Sequence, residues 1–579
     1  MEVAPQLARV IEPRLSGGFA YAPYAGAMRG TDPAVEAQRL KLAGAAGSAI
    51  ERAQSDSSAD AQHAAGLAFV LVEKPNDAIA RLCGVATQNP QNAAAWSDLA
   101  AAQYAAALQL DTPSLLPEAL ASADRALAID AKHPEALFNR ALILGRLGLT
   151  AQARAAWERY LAVDATSPWA NEARAHLSAL PRTNSHSLFR KELPRLEQAA
   201  ATGDIAAIDA AVRRWREQSR SWGEAEYLGR WAEATQRGDA AEAERLLTIA
   251  RSLGAALRRQ SGEGLLADAV TAIDNANDFA TLASAHAIYR RARIAYSKQL
   301  PSAAEPDLRR AAALFASANS PMARAARYYT ANTRFDQGDP AAARAELEAL
   351  LADEAAHPSY IALGALVRWQ LALCHIADGD SDGALPLLSQ SAAALQRLDE
   401  RNFLGFVESL IADTYAGIGR PEDSWRARIR SFHALSVDGR DDRLLVNIAS
   451  AVTAERRAGK PEAALSLLAI ERETVRASAD DVILCNTLTR GAVLRAELGD
   501  FAGAQRLADE AAAHAPRFAD PAVRAFAAAN LQLVRGAIAL HDNPHAAFAS
   551  LAEAQRGYAS MGQRPFEVDS RLLRARAAL

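Results

Sequence analysis

The sequence has few of the residues that build disulfide-bonded, metal-binding or membrane proteins. Its 579 residues include three cysteines, Cys83, Cys374 and Cys485, whose spacing forms neither a CxxC ligand pair nor a disulfide framework. No window approaches eighteen uncharged apolar residues, and no basic segment followed by an apolar one opens the chain. Few cysteines and no membrane or signal segment lead us to expect a cytoplasmic protein. A membrane anchor upstream of Met1 would lie outside this sequence.

The chain also has no large surplus of either charge. Its 64 basic and 68 acidic side chains give a formal net charge of −4, whereas nucleic-acid-binding proteins usually show a basic surplus or stripe. Clusters such as Arg213, Arg214 and Arg216 are accompanied by acids elsewhere, as on solvated helix faces. We therefore expect no nucleic-acid partner.

Aromatic residues are scarce too, at 6% of the chain, although 50% of it is apolar. Alanine supplies much of the difference. It is the best helix former, and its small side chain lets helices pack closely. Runs of β-branched residues that alternate with polar ones are hard to find. The composition predicts an all-α protein.

Small residues recur at the spacing of paired helices between Ala59 and Ser167. Gly66 and Ala78 are twelve positions apart, and so are Ala141 and Ala153. Small side chains are needed where two antiparallel helices cross, since larger ones would push the helices apart. Three consecutive units share this register: Ala59–Asn92, Ala93–His133 and Pro134–Ser167. They predict a tetratricopeptide-repeat α-solenoid, a right-handed superhelix of helix pairs.

The C-terminal half repeats the pattern with a period of about 40 residues. A small residue, or Val452 in one case, stands seven positions before each of five turn glycines, and another stands five positions after it. Glycine suits the end of the first helix of a pair, where the chain must turn. The glycines are Gly338, Gly379, Gly419, Gly459 and Gly499, separated by 41, 40, 40 and 40 residues.

These patterns predict four segments. An extended arm and a lead-in helix occupy residues 1–50, and repeats of about 34 residues occupy 51–180. Degenerate helical repeats follow in 181–300, where Trp231 stands at a position expected to be small, and repeats of about 40 residues fill 301–579. Disorder is one interpretation of the arm, but the cluster of Phe19, Tyr21 and Tyr24 favours an extended arm that packs on a surface.

Motifs of catalysis and cofactor binding are missing. The sequence contains no GxxxxGK[ST], no GxGxxG after a strand, no GxSxG and no HExxH. Asp378–Gly383 resembles the start of a calcium loop, but Ser389 stands where the closing glutamate is needed. His541 and His545 have metal-ligand spacing but flank Pro544, which indicates a turn. We expect no enzyme, no cofactor, no metal ion and no small-molecule substrate.

A solenoid presents the inner side of the first helix of each pair to a partner. We therefore expect a peptide or folded protein to bind on that concave face. Phe138 has two interpretations, an interface anchor or a packing residue. The clamp that holds chaperone carboxylates needs Lys and Asn, and the matching positions carry His63, Leu67, Asp98 and Ala101 instead. The predicted partner-binding residues are His63, Ser97, Tyr104, Glu135, Phe138 and Arg146.

The order of features resembles bacterial CHAT-domain proteins with an N-terminal tetratricopeptide array. The likeness is carried by three stretches, Glu12–Pro23 (EPRLSGGFAYAP), Pro134–Leu144 (PEALFNRALIL) and Ala156–Asp164 (AWERYLAVD). In that family the array leads into a caspase-like peptidase domain whose His and Cys perform the chemistry. No His or Cys here matches that dyad, so no catalytic residue is transferred, and the peptidase domain is expected to be absent from residues 1–579.

The sequence thus favours an interaction scaffold or sensor array, in line with the regulatory part of a CHAT peptidase. Two other functions fit an all-helical chain. An α/α toroid enzyme would need paired carboxylates in a closed cavity, whereas the glycine register predicts an open stack. The sensor arm of a transcription regulator would need a helix-turn-helix domain, which we do not find.

Overall fold

The computed structural model describes residues 9, 11–24, 33–181, 186–276, 278–438, 441–478 and 480–578. Across these ranges the protein is all-α, with an extended N-terminal arm and no strand beyond one isolated bridge between Arg9 and Tyr24. The predicted fold class, a tetratricopeptide-type array of antiparallel helix pairs, is confirmed.

The first eight helices are α1 (Pro33–Ser55), α2 (Ala59–Leu71), α3 (Pro75–Gln88), α4 (Ala93–Gln109), α5 (Leu116–Ile129), α6 (Pro134–Arg146), α7 (Thr150–Val163) and α8 (Pro168–Ala179). The middle helices are α9 (His186–Thr202), α10 (Ile205–Arg214), α11 (Arg216–Trp222), α12 (Leu228–Gln236), α13 (Ala240–Ser261), α14 (Leu265–Asp274), α15 (Phe279–Ser297), α16 (Pro301–Ser317), α17 (Met322–Asp336), α18 (Pro340–Ala352), α19 (Ile361–Ala377), α20 (Ser381–Leu398), α21 (Arg401–Gly417) and α22 (Pro421–Asp438). The last are α23 (Asp441–Arg457), α24 (Pro461–Ser478), α25 (Asp481–Glu497), α26 (Phe501–His514), α27 (Pro521–Ala539), α28 (Pro544–Ser560) and α29 (Arg564–Ala578).

These helices form two compact units. One comprises Met1–Pro181 together with Asp441–Leu579, and the other comprises Arg182–Arg440. The four segments expected from the sequence are a finer division, which stays a prediction. The boundary expected at residue 181 lies next to residues 182–185, which are outside the described residues.

The turns within the helix pairs follow from a glycine and the residue after it. All five register glycines have φ between +74° and +85°, a left-handed conformation in which glycine carries no steric penalty. In three of these turns the next residue is an aspartate, which begins the second helix. Its side chain accepts a hydrogen bond from the backbone N–H three residues on, as Asp339 does from Ala342 at 3.0 Å.

The predicted crossing residues are buried. Ala141 and Ala153 are fully inaccessible to solvent, as is every predicted crossing alanine of the longer repeats. At Gly66 the reason is visible, since an added Cβ would lie 2.6 Å from Cγ of Leu82 on the facing helix. The register read from the sequence is therefore the register of helix packing.

Both units also contain contacts between helices far apart in sequence, which the prediction of an open stack did not include. In the Arg182–Arg440 unit, Arg220 of α11 donates to Glu400 at 2.6 Å, and Asn402 donates to Glu217 at 2.7 Å. In the other unit, α5 packs on α24, where Lys460 lies 2.6 Å from Glu118. Within each unit, therefore, helices far apart in sequence contact one another.

The degenerate segment packs by a different device. Trp231, at a predicted crossing position, is 1% exposed and has an edge-to-face contact with Phe279 at 5.2 Å. A π-helical turn, Gly223–Tyr227, joins α11 to α12 just before it. Trp231 therefore packs in the core against α15, although the longer repeats have a small residue at the corresponding position.

Candidate peptide-binding groove

The described part of the N-terminal arm, residues 9 and 11–24, packs against α2, α4, α6 and α8 and contacts Tyr160 of α7, and we call that surface the groove. The described part of the arm contains no helix. Ile11 and Leu15 are 4% and 8% exposed and join the core formed around Leu67 and Leu99. The arm therefore packs as an extended segment against the first repeats.

Asn139 of α6 binds the backbone of the arm. Its Oδ1 accepts a hydrogen bond from the backbone N–H of Arg14 at 2.8 Å, and its Nδ2 donates to the carbonyl of Arg14 at 2.9 Å. The amide is 1% exposed, and Nδ2 also lies 3.3 Å from both oxygens of Ser97. A side-chain amide that pairs with both polar groups of one residue recognises extended backbone whatever its side chain.

Asp98 of α4 binds the arm two residues further on. Its Oδ1 accepts from the backbone N–H of Ser16 at 2.9 Å, and its Oδ2 accepts from the hydroxyl of Ser16. The carboxylate is fully buried, and His63 of α2 lies 2.7 Å from Oδ2. A buried carboxylate costs little here because hydrogen-bond donors surround it.

The side chain of Arg14 enters a pocket with acidic and aromatic walls. Its guanidinium lies 3.4 Å from Glu135 and 3.3 Å from Asp164, and it donates to the Tyr160 hydroxyl at 2.9 Å. The ring of Trp169 lies 5.1 Å away, within cation–π range. Burial would raise the pKa of Asp164, but hydrogen bonds from Ser167 and Tyr160 and the charge of Arg14 lower it overall.

Arg9 occupies a second acidic site next to Trp169. Its guanidinium pairs with both oxygens of Glu172, one at 2.8 Å, and lies 4.4 Å from the centre of the Trp169 ring. Burial opposes ionisation of Glu172, yet hydrogen bonds from His176 and Arg9 lower its pKa to about 2. The same arginine donates to the carbonyl of Ala22 at 2.9 Å, which folds the arm back on itself.

The predicted partner-binding residues lie around this arm in different ways. Tyr104 donates to Glu12 at 2.6 Å, and Glu135 pairs with Arg14, whereas His63 and Ser97 act through Asp98 and Asn139. Phe138 is fully buried, and its ring centre lies 5.0 Å from that of Trp157, so it packs in the core and does not face the arm. Arg146 is exposed and acts on Tyr104 through its charge. Burial raises the pKa of Tyr104, and the positive charge of Arg146 opposes that rise.

The sequence prediction did not include the residues that make most of the polar contacts. Asp98 and Asn139 each follow a predicted residue, Ser97 and Phe138, by one position, which turns them about 100° around the helix. A charged or amide side chain inside an apolar, alanine-rich helix was the available signal. The missed residues are Asp98, Asn139, Tyr160, Asp164, Trp169 and Glu172.

The motifs considered for chemistry lie in ordinary turns and cores. Asp380 begins α20 and accepts from the backbone N–H of Gly383 at 2.8 Å, which a cap explains. His541 stacks on Phe501, with ring centres 4.4 Å apart. Burial raises the pKa of the Cys374 and Cys485 thiols to about 11, which disfavours the nucleophilic thiolate.

The described part of the chain contains neither a cluster of metal ligands nor a membrane-spanning helix. Over those ranges, no three His, Cys, Asp or Glu side chains are grouped so that they could hold a metal ion. No described helix combines the length and apolar character that crossing a membrane requires.

The proteins that are similar to this chain come from among the solved structures. Neither the known protein families nor the curated proteins contain a match. A tetratricopeptide repeat protein from Parabacteroides merdae is 16% identical, and the match covers 51% of this chain and 99% of that protein, with a TM-score of 0.35. The Cut9–Hcn1 hetero-tetramer of the APC/C is 12% identical over 93% of this chain and 94% of its own, with a TM-score of 0.37. Yeast Tom70 is 13% identical, and the match covers 89% of this chain and 96% of Tom70, with a TM-score of 0.34.

Proposed function

We propose that this protein is an interaction scaffold whose groove binds an extended segment of a partner protein. The observation that carries this proposal is the double hydrogen bond between Asn139 and the backbone of Arg14, 2.8 and 2.9 Å long. Asp98 adds a bond to the backbone of Ser16. Contacts to backbone groups at positions i and i+2 suit any extended chain, because alternate residues of such a chain face the same way.

The wider biological setting is a further proposal. The resemblance of Glu12–Pro23 and the first repeats to CHAT-associated arrays supports a role as the sensor or regulatory part of a caspase-like peptidase. In that role the groove would report the presence of a partner segment to a peptidase domain. The catalytic residues would belong to that domain, since none of the three cysteines here matches the family dyad.

The test needs a chain whose own arm has left the groove. Arg14→Glu places a carboxylate beside Glu135 and Asp164, and Ser16→Asp places another beside the buried Asp98. We call the full chain with both substitutions the arm-released chain. Like charges in a partly desolvated groove repel, so the arm should dissociate while the helices stay folded.

A synthetic peptide of residues 9–24 is then added in trans, and hydrogen exchange is followed by mass spectrometry. We expect slower exchange in α4, α6 and α8 and unchanged exchange in α15–α18. A scrambled peptide of the same composition is the control. Equal protection by both peptides, or protection only outside α2–α8, would refute the groove as a binding site.

A further inference from the structure

We infer that the groove selects an extended segment that carries an arginine, and that the chain's own arm competes with this segment. The inference rests on the proposed function and adds the chemistry of the ligand. The observation behind it is the pocket that the side chain of Arg14 occupies when the arm is bound.

The pocket fits a guanidinium in several respects. Glu135 and Asp164 supply two carboxylates within 3.4 Å, and Tyr160 supplies a hydroxyl at 2.9 Å. The carboxylate side chains are 17% and 16% exposed, and Tyr160 is fully buried, so solvent screens these charges only partly. A planar guanidinium can donate to three acceptors in different directions, whereas the single ammonium of lysine offers no such fork.

Trp169 strengthens the preference for arginine. Its ring centre lies 5.1 Å from the Arg14 guanidinium and 4.4 Å from that of Arg9, and Tyr21 meets it edge-on at 5.2 Å. Arginine stacks on indole faces more readily than lysine because it is more weakly hydrated. Glu172 completes the second site, so a ligand with a second arginine five positions before the first would fill both.

The charge of the groove disfavours acidic ligands. Four carboxylates, those of Asp98, Glu135, Asp164 and Glu172, contact the arm directly. An acidic or phosphorylated segment would place like charges against them in a partly desolvated site, which costs affinity. The fitting partner is therefore a basic, extended protein segment.

The way the arm is held makes exchange with such a segment feasible. Its described residues form no helix, and its one bridge, Arg9 with Tyr24, lies within the arm itself. Side chains of the groove make the polar contacts to the arm, so a free segment with the same pattern can form them too.

Tethering gives the arm an advantage over any free segment. Covalent attachment gives a bound segment an effective concentration of roughly 1 mM. If the free peptide binds with a Kd of about 10 μM, the tethered arm weakens its apparent affinity by about 100-fold. Access to the groove then depends on the concentration or valency of the partner.

The experiment measures binding of the labelled peptide of residues 9–24 by fluorescence anisotropy. We expect it to bind the arm-released chain at least tenfold more tightly than the wild-type chain. Peptides with Arg14→Ala or Arg14→Lys should bind the arm-released chain at least tenfold more weakly than the unaltered peptide. A peptide with Phe19→Ala is the matched control, because Phe19 is 37% exposed, and it should bind like the unaltered peptide.

Each result separates the hypotheses. No binding to the arm-released chain would refute the proposed function itself. Binding that is equal for the Arg14 and Arg14→Ala peptides would refute the selection of arginine and leave the proposed function standing. Equal affinity for the wild-type and arm-released chains would refute competition by the arm. Circular dichroism checks the fold, and a chain with Ser16→Asp alone replaces the double variant if that variant unfolds.

Discussion

Removing the amide of Asn139 should open the groove without a change of charge. Asn139→Ala deletes both hydrogen bonds to the backbone of Arg14, at 2.8 and 2.9 Å. Each such bond has a net contribution of about 1 kcal/mol, so docking of the arm should weaken by about 2 kcal/mol. That corresponds to an increase of roughly 30-fold in the population of the open arm.

Trypsin reports this population directly, because it cleaves after Arg14 only when the arm is out of the groove. When opening and closing are fast compared with cleavage, the rate of cleavage follows the open population. We expect the loss of residues 1–14, measured by mass spectrometry of the intact chain, to accelerate by about 30-fold, the factor set by the lost hydrogen bonds.

The matched control is Asn171→Ala on α8. Asn171 is exposed and accepts a hydrogen bond from Arg174 at 2.9 Å, within its own helix. This variant should be cleaved at the wild-type rate. If Asn139→Ala were cleaved no faster than Asn171→Ala while both melted like the wild type, the amide would not be what holds the arm.

Three further predictions concern stability. Ala141→Leu or Ala153→Leu should overpack a helix crossing and lower the free energy of unfolding by roughly 1–3 kcal/mol in urea, and an unchanged midpoint would contradict the register. Burial raises the pKa of Glu263 from 4.5 to about 7. The stability that protonated Glu263 gives the wild type is therefore complete below about pH 4.5 and is lost as the pH rises through 7. The free energy of unfolding of Glu263→Gln, relative to that of the wild type, should therefore rise by an amount on the order of 3 kcal/mol between pH 5 and pH 8. If variant and wild type differed by the same amount at both pH values, this prediction would be refuted. His286 is fully buried, and neither ring nitrogen has a hydrogen-bond partner among the described residues. His286→Phe should raise the free energy of unfolding by about 1–2 kcal/mol, whereas a comparable loss would show that the nitrogens are satisfied.

The helix pairs could be predicted because their signals are local. A glycine that needs a left-handed φ, a following helix cap and small residues at the crossing lie within twelve residues of one another. Gly379 with Asp380 shows this, and the same pair explains why the calcium-like sequence is a turn. The packing of the arm was predicted from Phe19, Tyr21 and Tyr24. Its buried contacts are made by Ile11 and Leu15 instead, whereas Phe19 and Tyr24 are 37% exposed.

The residues that bind the arm could not be predicted from the same signals. Asn139 contacts Arg14 across 125 residues of sequence, and its role appears only when the arm is placed. The contact between Arg220 and Glu400 spans 180 residues, so it too could not be predicted from signals that lie within one helix pair. A polar side chain in an alanine-rich helix remains the practical clue, as Asp98 shows.

The most direct test of the account is a calorimetric titration of the peptide of residues 9–24 into the arm-released chain, with and without Asn139→Ala. We expect one peptide per chain, with binding about 30-fold weaker when the amide is missing, in proportion to the two lost hydrogen bonds. Saturable binding with the same Kd for both chains, or no binding to either, would contradict the claim that this groove recognises extended backbone.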